Sequence, residues 1–159
     1  VAVLKVKHII ICGHSCCGAM KGVMDPDSLA DLPHVTQWLS YAKAASQIVE
    51  EKAPDLCEKD KLEMLIEENV LLQLQHLKTH PHVAAKYATN KVELHAWTYD
   101  IGKGNVKAYD EKKGYRDYFS QCIEPYFREG KILACSIGRF HHHYLSNNSV
   151  VEMGLCPCE

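Results

Sequence analysis

The sequence has almost no excess of either charge: 18 Lys and Arg stand against 20 Asp and Glu, a formal net charge of −2. With that balance, no excess of positive charge argues for a partner such as nucleic acid or an anionic membrane surface. Long apolar runs are also missing. The longest lies around residues 9–12, far below the ~20 residues that cross a bilayer, so no membrane span is expected. The opening residues lack a charged region, an apolar block and a small-residue cleavage site in series, which argues against a secretory leader. Glycine is sparse at 9, and Gly102-Lys103-Gly104 is short and hairpin-like, without the strand-loop-helix setting of a phosphate cradle. Internal repeats and low-complexity tracts are absent.

Cysteine, by contrast, is abundant, with eight at positions 12, 16, 17, 57, 122, 135, 156 and 158. Without secretion signals, and with Cys16-Cys17 adjacent beside a histidine, these read as reduced thiols in a cytoplasmic compartment rather than a disulfide framework. Cys12, Cys57, Cys122 and Cys16 read as small, buried apolar residues. A chain of 159 residues suits one domain and can bury roughly two thirds of its unfolded surface.

Residues 6–12 read as a strand buried on both faces, because their apolar side chains are nearly continuous. Gly13 is expected to permit a turn into a short helix over residues 15–24, with Cys17 in the first turn, where the helix dipole favours thiolate. Apolar positions recur at helical spacing over 34–52 and most clearly over 58–79, with a short helix after Pro81. Residues 91–100 alternate Val92, Leu94, Ala96 and Thr98 against Glu93, His95, Trp97 and Tyr99, the period of a strand whose second face packs rather than binds. A turn at 101–105 returns the chain antiparallel. Residues 115–129 read as a helix interrupted at Pro125, and 131–137 as a short strand. The order implies an α/β layer structure with right-handed crossovers.

The residue pattern that carries chemistry is His14-Ser15-Cys16-Cys17 at the end of the first strand. Zinc accepts neutral imidazole and thiolate in one tetrahedral shell, and a His-x-x-Cys pair around a tight turn offers both. Two donors are only half a shell. Cys135, in Cys135-Ser136-Ile137-Gly138-Arg139 after a strand-like run, is one candidate for a third; Cys156 and Cys158 are weaker ones. His141-His142-His143 could hold a transition metal, although consecutive residues rarely aim at one ion.

Gly13-His14-Ser15-Cys16-Cys17-Gly18 resembles the second metal motif of the β-class carbonic anhydrases. Glu67-Glu68-Asn69-Val70, followed by Gln73, Leu77 and Pro81-His82-Val83, is similar to that family's long helix and the short one after it. His95-Ala96-Trp97-Thr98-Tyr99-Asp100-Ile101, then Gly104 and Val106, is similar to its closing edge hairpin, with Ala96 where glycine is usual. The resemblance covers residues 1–110, and 111–159 form a C-terminal extension to which it assigns no structure. It implies a mostly parallel sheet flanked by helices with a C-terminal edge hairpin. It also implies a zinc ion held by His14 and Cys17, and reversible hydration of carbon dioxide to bicarbonate. The family's upstream Cys-x-Asp-Ser-Arg motif, which supplies another thiolate and an Asp-Arg dyad, does not occur here. The chain is therefore expected to be either a piece of a longer enzyme or a relative that does not build the usual site alone.

Two other functions stay open on these residues: a non-catalytic homologue kept for assembly, in a bacterial microcompartment as for some relatives, and a hydrolase of carbon-sulfur analogues of carbon dioxide. The family pairs its subunits through the segment before the first strand, so a homodimer or higher oligomer is expected.

Overall fold

Ile9, Ile10 and Ile11 are 2–4% exposed, and around this apolar run the fold is built. In the computed structural model, which describes residues 1–118 and 132–135, they lie in β1, His8–His14. α1 (Gly18–Met24), α2 (Pro33–Leu39), α3 (Lys43–Lys52), α4 (Glu58–Thr79) and α5 (Pro81–Ala88) follow. Then come β2 (Glu93–Asp100), β3 (Asn105–Asp110), β4 (Gly114–Tyr118) and β5 (Ile132–Cys135). The five strands form one sheet in the order β4-β3-β2-β1-β5. β1 pairs parallel with both β2 and β5, whereas β2-β3 and β3-β4 are antiparallel, so the sheet is mixed. Parallel neighbours require crossovers, and α1 to α5 make the one from β1 to β2.

α4 is the spine of the helical layer. Its acidic first turn (Glu58, Asp60) and basic last turn (His76, Lys78) complement the helix dipole. Leu62, Leu65 and Ile66 pack with Met20, Leu39, Ala42, Ala45 and Val49 of the preceding helical segments. Val70 and Leu74, further along, cover Ile11 of β1 and Ala96 of β2. The opposite sheet face gathers Ile10, Trp97, Val106 and Ala108, with Cys12 and Tyr99 beside them. The alternation read from residues 91–100 therefore separates two faces as expected.

Two stretches differ from expectation. The helix expected over 34–52 is broken by a 3-10 turn at Ser40–Ala42. The Ser40 hydroxyl donates to the Gln37 carbonyl at 2.6 Å, a local bond that competes with regular helix pairing. Residues 115–118, expected to open a helix, lie in β4 instead. Gly114 takes the left-handed φ of 71° and one Asp110 carboxylate oxygen accepts the Lys112 and Lys113 amides, which turns the chain back along β3. The rest of that expected helix lies outside the described residues. The expected strand over 131–137 is present as β5.

Candidate metal centre

His14 is the last residue of β1, and the chain then passes through Ser15 and Cys16 into α1. The strand runs two residues further than expected, and the left-handed position of the turn falls on Cys16, φ 57°, not on Gly13. Gly13 serves close packing: a Cβ there would stand 2.8 Å from the Cγ2 atoms of both Ile66 and Val70. Cys17 is the N-cap of α1 rather than part of its first turn. A helix of 7 residues has a modest dipole, and the nearby amides matter more than its length.

Ser15 fixes the turn from two sides. Its amide donates to the Tyr99 carbonyl at 2.8 Å, and its hydroxyl accepts the Ile101 amide at 2.9 Å. Its carbonyl lies 2.9 Å from His14 Nδ1. A carbonyl only accepts, so Nδ1 carries the proton and Nε2 keeps the lone pair that a metal needs. Sequence reasoning passed over Ser15 as a positioning residue, because its partners lie 84 and 86 residues away across the sheet.

The two candidate ligands perturb each other. The contact with Cys17 raises the His14 pKa above its ordinary value against the opposing pull of burial, and the Ser15 carbonyl adds to the rise. Burial works against a charged Cys17, yet His14 and the Met20 and Ala19 amides outweigh it and hold the thiol below its usual pKa. Both residues line a cavity of about 20 Å³ with Ile11, Ile66, Asn69 and Val70. A thiol of lowered pKa and an oriented imidazole meeting in a small, mostly apolar space fit half of a zinc shell.

Other thiols divide clearly. Cys12, half-buried, donates to the Gly13 carbonyl at 3.3 Å, and burial pushes its pKa up to about 11, so it stays a thiol. Cys16 and Cys57 are exposed, contrary to expectation, because one sits on the left-handed turn and the other caps the start of α4. Cys135 ends β5 with its backbone in register with Ile11, three residues before His14 on the neighbouring strand. Cys122, Cys156, Cys158 and His141 to His143 lie outside the described residues.

The profile of the family described as carbonic anhydrase matches residues 1–106. Carbonic anhydrase 1 of Escherichia coli O157:H7 is 40% identical over 110 residues, which is 69% of this chain and 50% of that protein. Among solved structures, the beta-carbonic anhydrase CcaA superposes with a TM-score of 0.70 at 37% identity, over 74% of this chain and 58% of that one. A tetrameric beta-carbonic anhydrase of the ascomycete Sordaria macrospora gives 0.62 at 30% identity, over 68% and 54%. The chain spans about half the length of the curated relatives it matches. By sequence and by fold, this chain belongs to the carbonic anhydrase family, in its β class.

Proposed function

We propose that this chain carries two of the zinc ligands of a carbonic anhydrase, His14 and Cys17, and that the whole protein hydrates carbon dioxide reversibly to bicarbonate. The observation that carries the reading is the His14-Cys17 pair, with one ring nitrogen spoken for and the other turned to a thiol that leans to thiolate. When bound, zinc supplies Lewis acidity that makes water a nucleophile near neutral pH. The chain's own residues do the rest. The Ser15 carbonyl holds the imidazole in one tautomer, and the Ala19 and Met20 amides steady the sulfur. Ile11, Ile66 and Val70 line the cavity beside the buried Cys17, and an apolar wall there strengthens the charge interactions it faces. Nε2 of His14 and the sulfur of Cys17 would hold the ion, and because ligation requires the thiolate, uptake would release the Cys17 proton.

A third donor is needed, and Cys135, whose backbone is in register with Ile11 on the neighbouring strand, is one candidate within this chain beside Cys156 and Cys158. The chain acts in an oligomer, supported by apolar side chains left exposed in the described region, Val3, Leu4, Trp38 and Tyr41 among them. A reducing, cytoplasmic setting suits the unpaired Cys12, Cys16, Cys17 and Cys57. No described helix is long and apolar enough to cross a membrane.

Stopped-flow carbon dioxide hydration on the zinc-loaded whole polypeptide tests the reading. Zinc-dependent hydration abolished by Cys17→Ser is expected. Full zinc occupancy with no hydration overturns it, and turnover of a carbon-sulfur analogue in its place assigns the site to a hydrolase.

A further inference from the structure

His8 opens β1, and Glu93 and His95 open β2, at the opposite end of these strands from His14. The parallel register sets His8 against Glu93 and Ile10 against His95, and the Glu93 amide donates to the Lys7 carbonyl at 2.7 Å. The strand ends are thus pinned before any side chain is considered. His8 Nδ1 lies 3.2 Å from His95 Nε2, and one Glu93 carboxylate oxygen lies 3.6 Å from the first and 4.0 Å from the second. From these three donor atoms we infer a second metal site, independent of His14 and Cys17, which takes a divalent transition ion of the zinc type.

The argument is geometric. Ligand atoms about 2.0–2.1 Å from a tetrahedral zinc stand about 3.3 Å apart along each edge. The His8-His95 separation already matches one edge, and the carboxylate closes the other two by a small rotation of an exposed side chain. The imidazoles are 18% and 19% exposed and the Glu93 side chain 69%, so the nitrogens are held by the strands while the carboxylate is reached from solvent. Two imidazoles and one carboxylate select zinc, nickel, copper or iron over magnesium and calcium. Burial, followed by the nearness of His8, lowers the His95 pKa, in keeping with the neutral form that ligation requires. Six residue steps along β1 separate His8 from His14, roughly 20 Å of strand. A bound ion would tie β1 to β2 at the end away from α1, joining residues 87 apart in sequence.

Sequence reading assigned His95 to a packing face, and it does face Trp97, with ring centroids 6.3 Å apart. The missing signal was pairing register: His8 and His95 meet only once β1 and β2 are known to run parallel.

The test is Zn2+ titration, by calorimetry and by thermal melting, of the 159-residue chain carrying Cys17→Ser, which removes the first site. In this background Zn2+ is expected to bind and to raise Tm, with Mg2+ having no effect. Adding His8→Ala abolishes the binding that raises Tm, and adding Glu93→Gln, an exposed change that keeps the side chain's size, weakens it by at least about tenfold. Far-UV circular dichroism confirms that each variant is folded. Zn2+ binding that neither substitution alters, or no Zn2+-dependent rise in Tm before they are made, overturns the proposal. Failure of the carbonic anhydrase reading shows elsewhere, as hydration absent from the unsubstituted protein, so the two cannot be confused.

Discussion

At the residue scale, His14 and Cys17 shift in opposite directions, one pKa up and the other down, as expected of an imidazole and a thiol in contact, and the proposed zinc site rests on that contact. Cys17→Ser is therefore expected to remove bound zinc from the motif, read by elemental analysis beside the parent. Retention of the parent's full metal content contradicts that. Gly13→Ala forces a methyl group to within 2.8 Å of Ile66 and Val70; overpacking of this kind costs about 1–3 kcal/mol, measurable by urea denaturation, and an unchanged midpoint would remove the close-packing role. The meeting of His14 with Cys17 was legible because a three-residue spacing at a strand end is a local signal. The glycine's role was not, since a turn glycine and a close-approach glycine look alike until a helix some fifty residues later is laid across the strand.

At the scale of elements, α4 and the β4 hairpin make complementary demands. Leu65 is 1% exposed at the junction of α4 with the helices before it, so Leu65→Ala is expected to cost about 2–5 kcal/mol; a loss below 1 kcal/mol would mean that the site collapses around the gap. Tyr115 of β4 donates its hydroxyl to the Glu67 carbonyl of α4 at 3.1 Å. Burial, then the nearby Glu67 and Glu68, raise its pKa well above the ordinary value of 10.0. The neutral phenol is the form the fold favours, so this contribution is fully present below the unfolded pKa and drains away as pH rises beyond it. Tyr115→Phe is expected to cost about 1 kcal/mol near neutrality and to flatten the alkaline fall in stability, followed by denaturation at stepped pH. An unchanged alkaline limb would show that the phenol ionises freely in the folded state. Periodicity revealed α4 and the alternating faces of β2, because both follow from repeats within the element. The 3-10 break at Ser40–Ala42 and the strand at Gly114–Tyr118 escaped it, as one rests on a single hydroxyl and the other on a turn and a partner strand.

At the scale of the whole molecule, the helical layer shields one face of the sheet, while Trp38 at 45% and Tyr41 at 66% exposure stand out beside the still more open Val3. Large apolar side chains left this exposed suit an interface, and light scattering is expected to give a mass that is a multiple of 18.0 kDa; a monomer across the concentration range would contradict that. The α/β class was readable from the order of strands and helices, but the distances between His14, Ser15 and Tyr99 belong to the folded chain alone. The central claim is that one zinc ion bridges His14 and Cys17, and X-ray absorption at the zinc edge of the loaded protein addresses it most directly. The account predicts imidazole nitrogen near 2.0–2.1 Å together with sulfur near 2.3 Å, and loss of a sulfur scatterer in Cys17→Ser. A shell of nitrogen and oxygen alone, unaltered by that substitution, would contradict it.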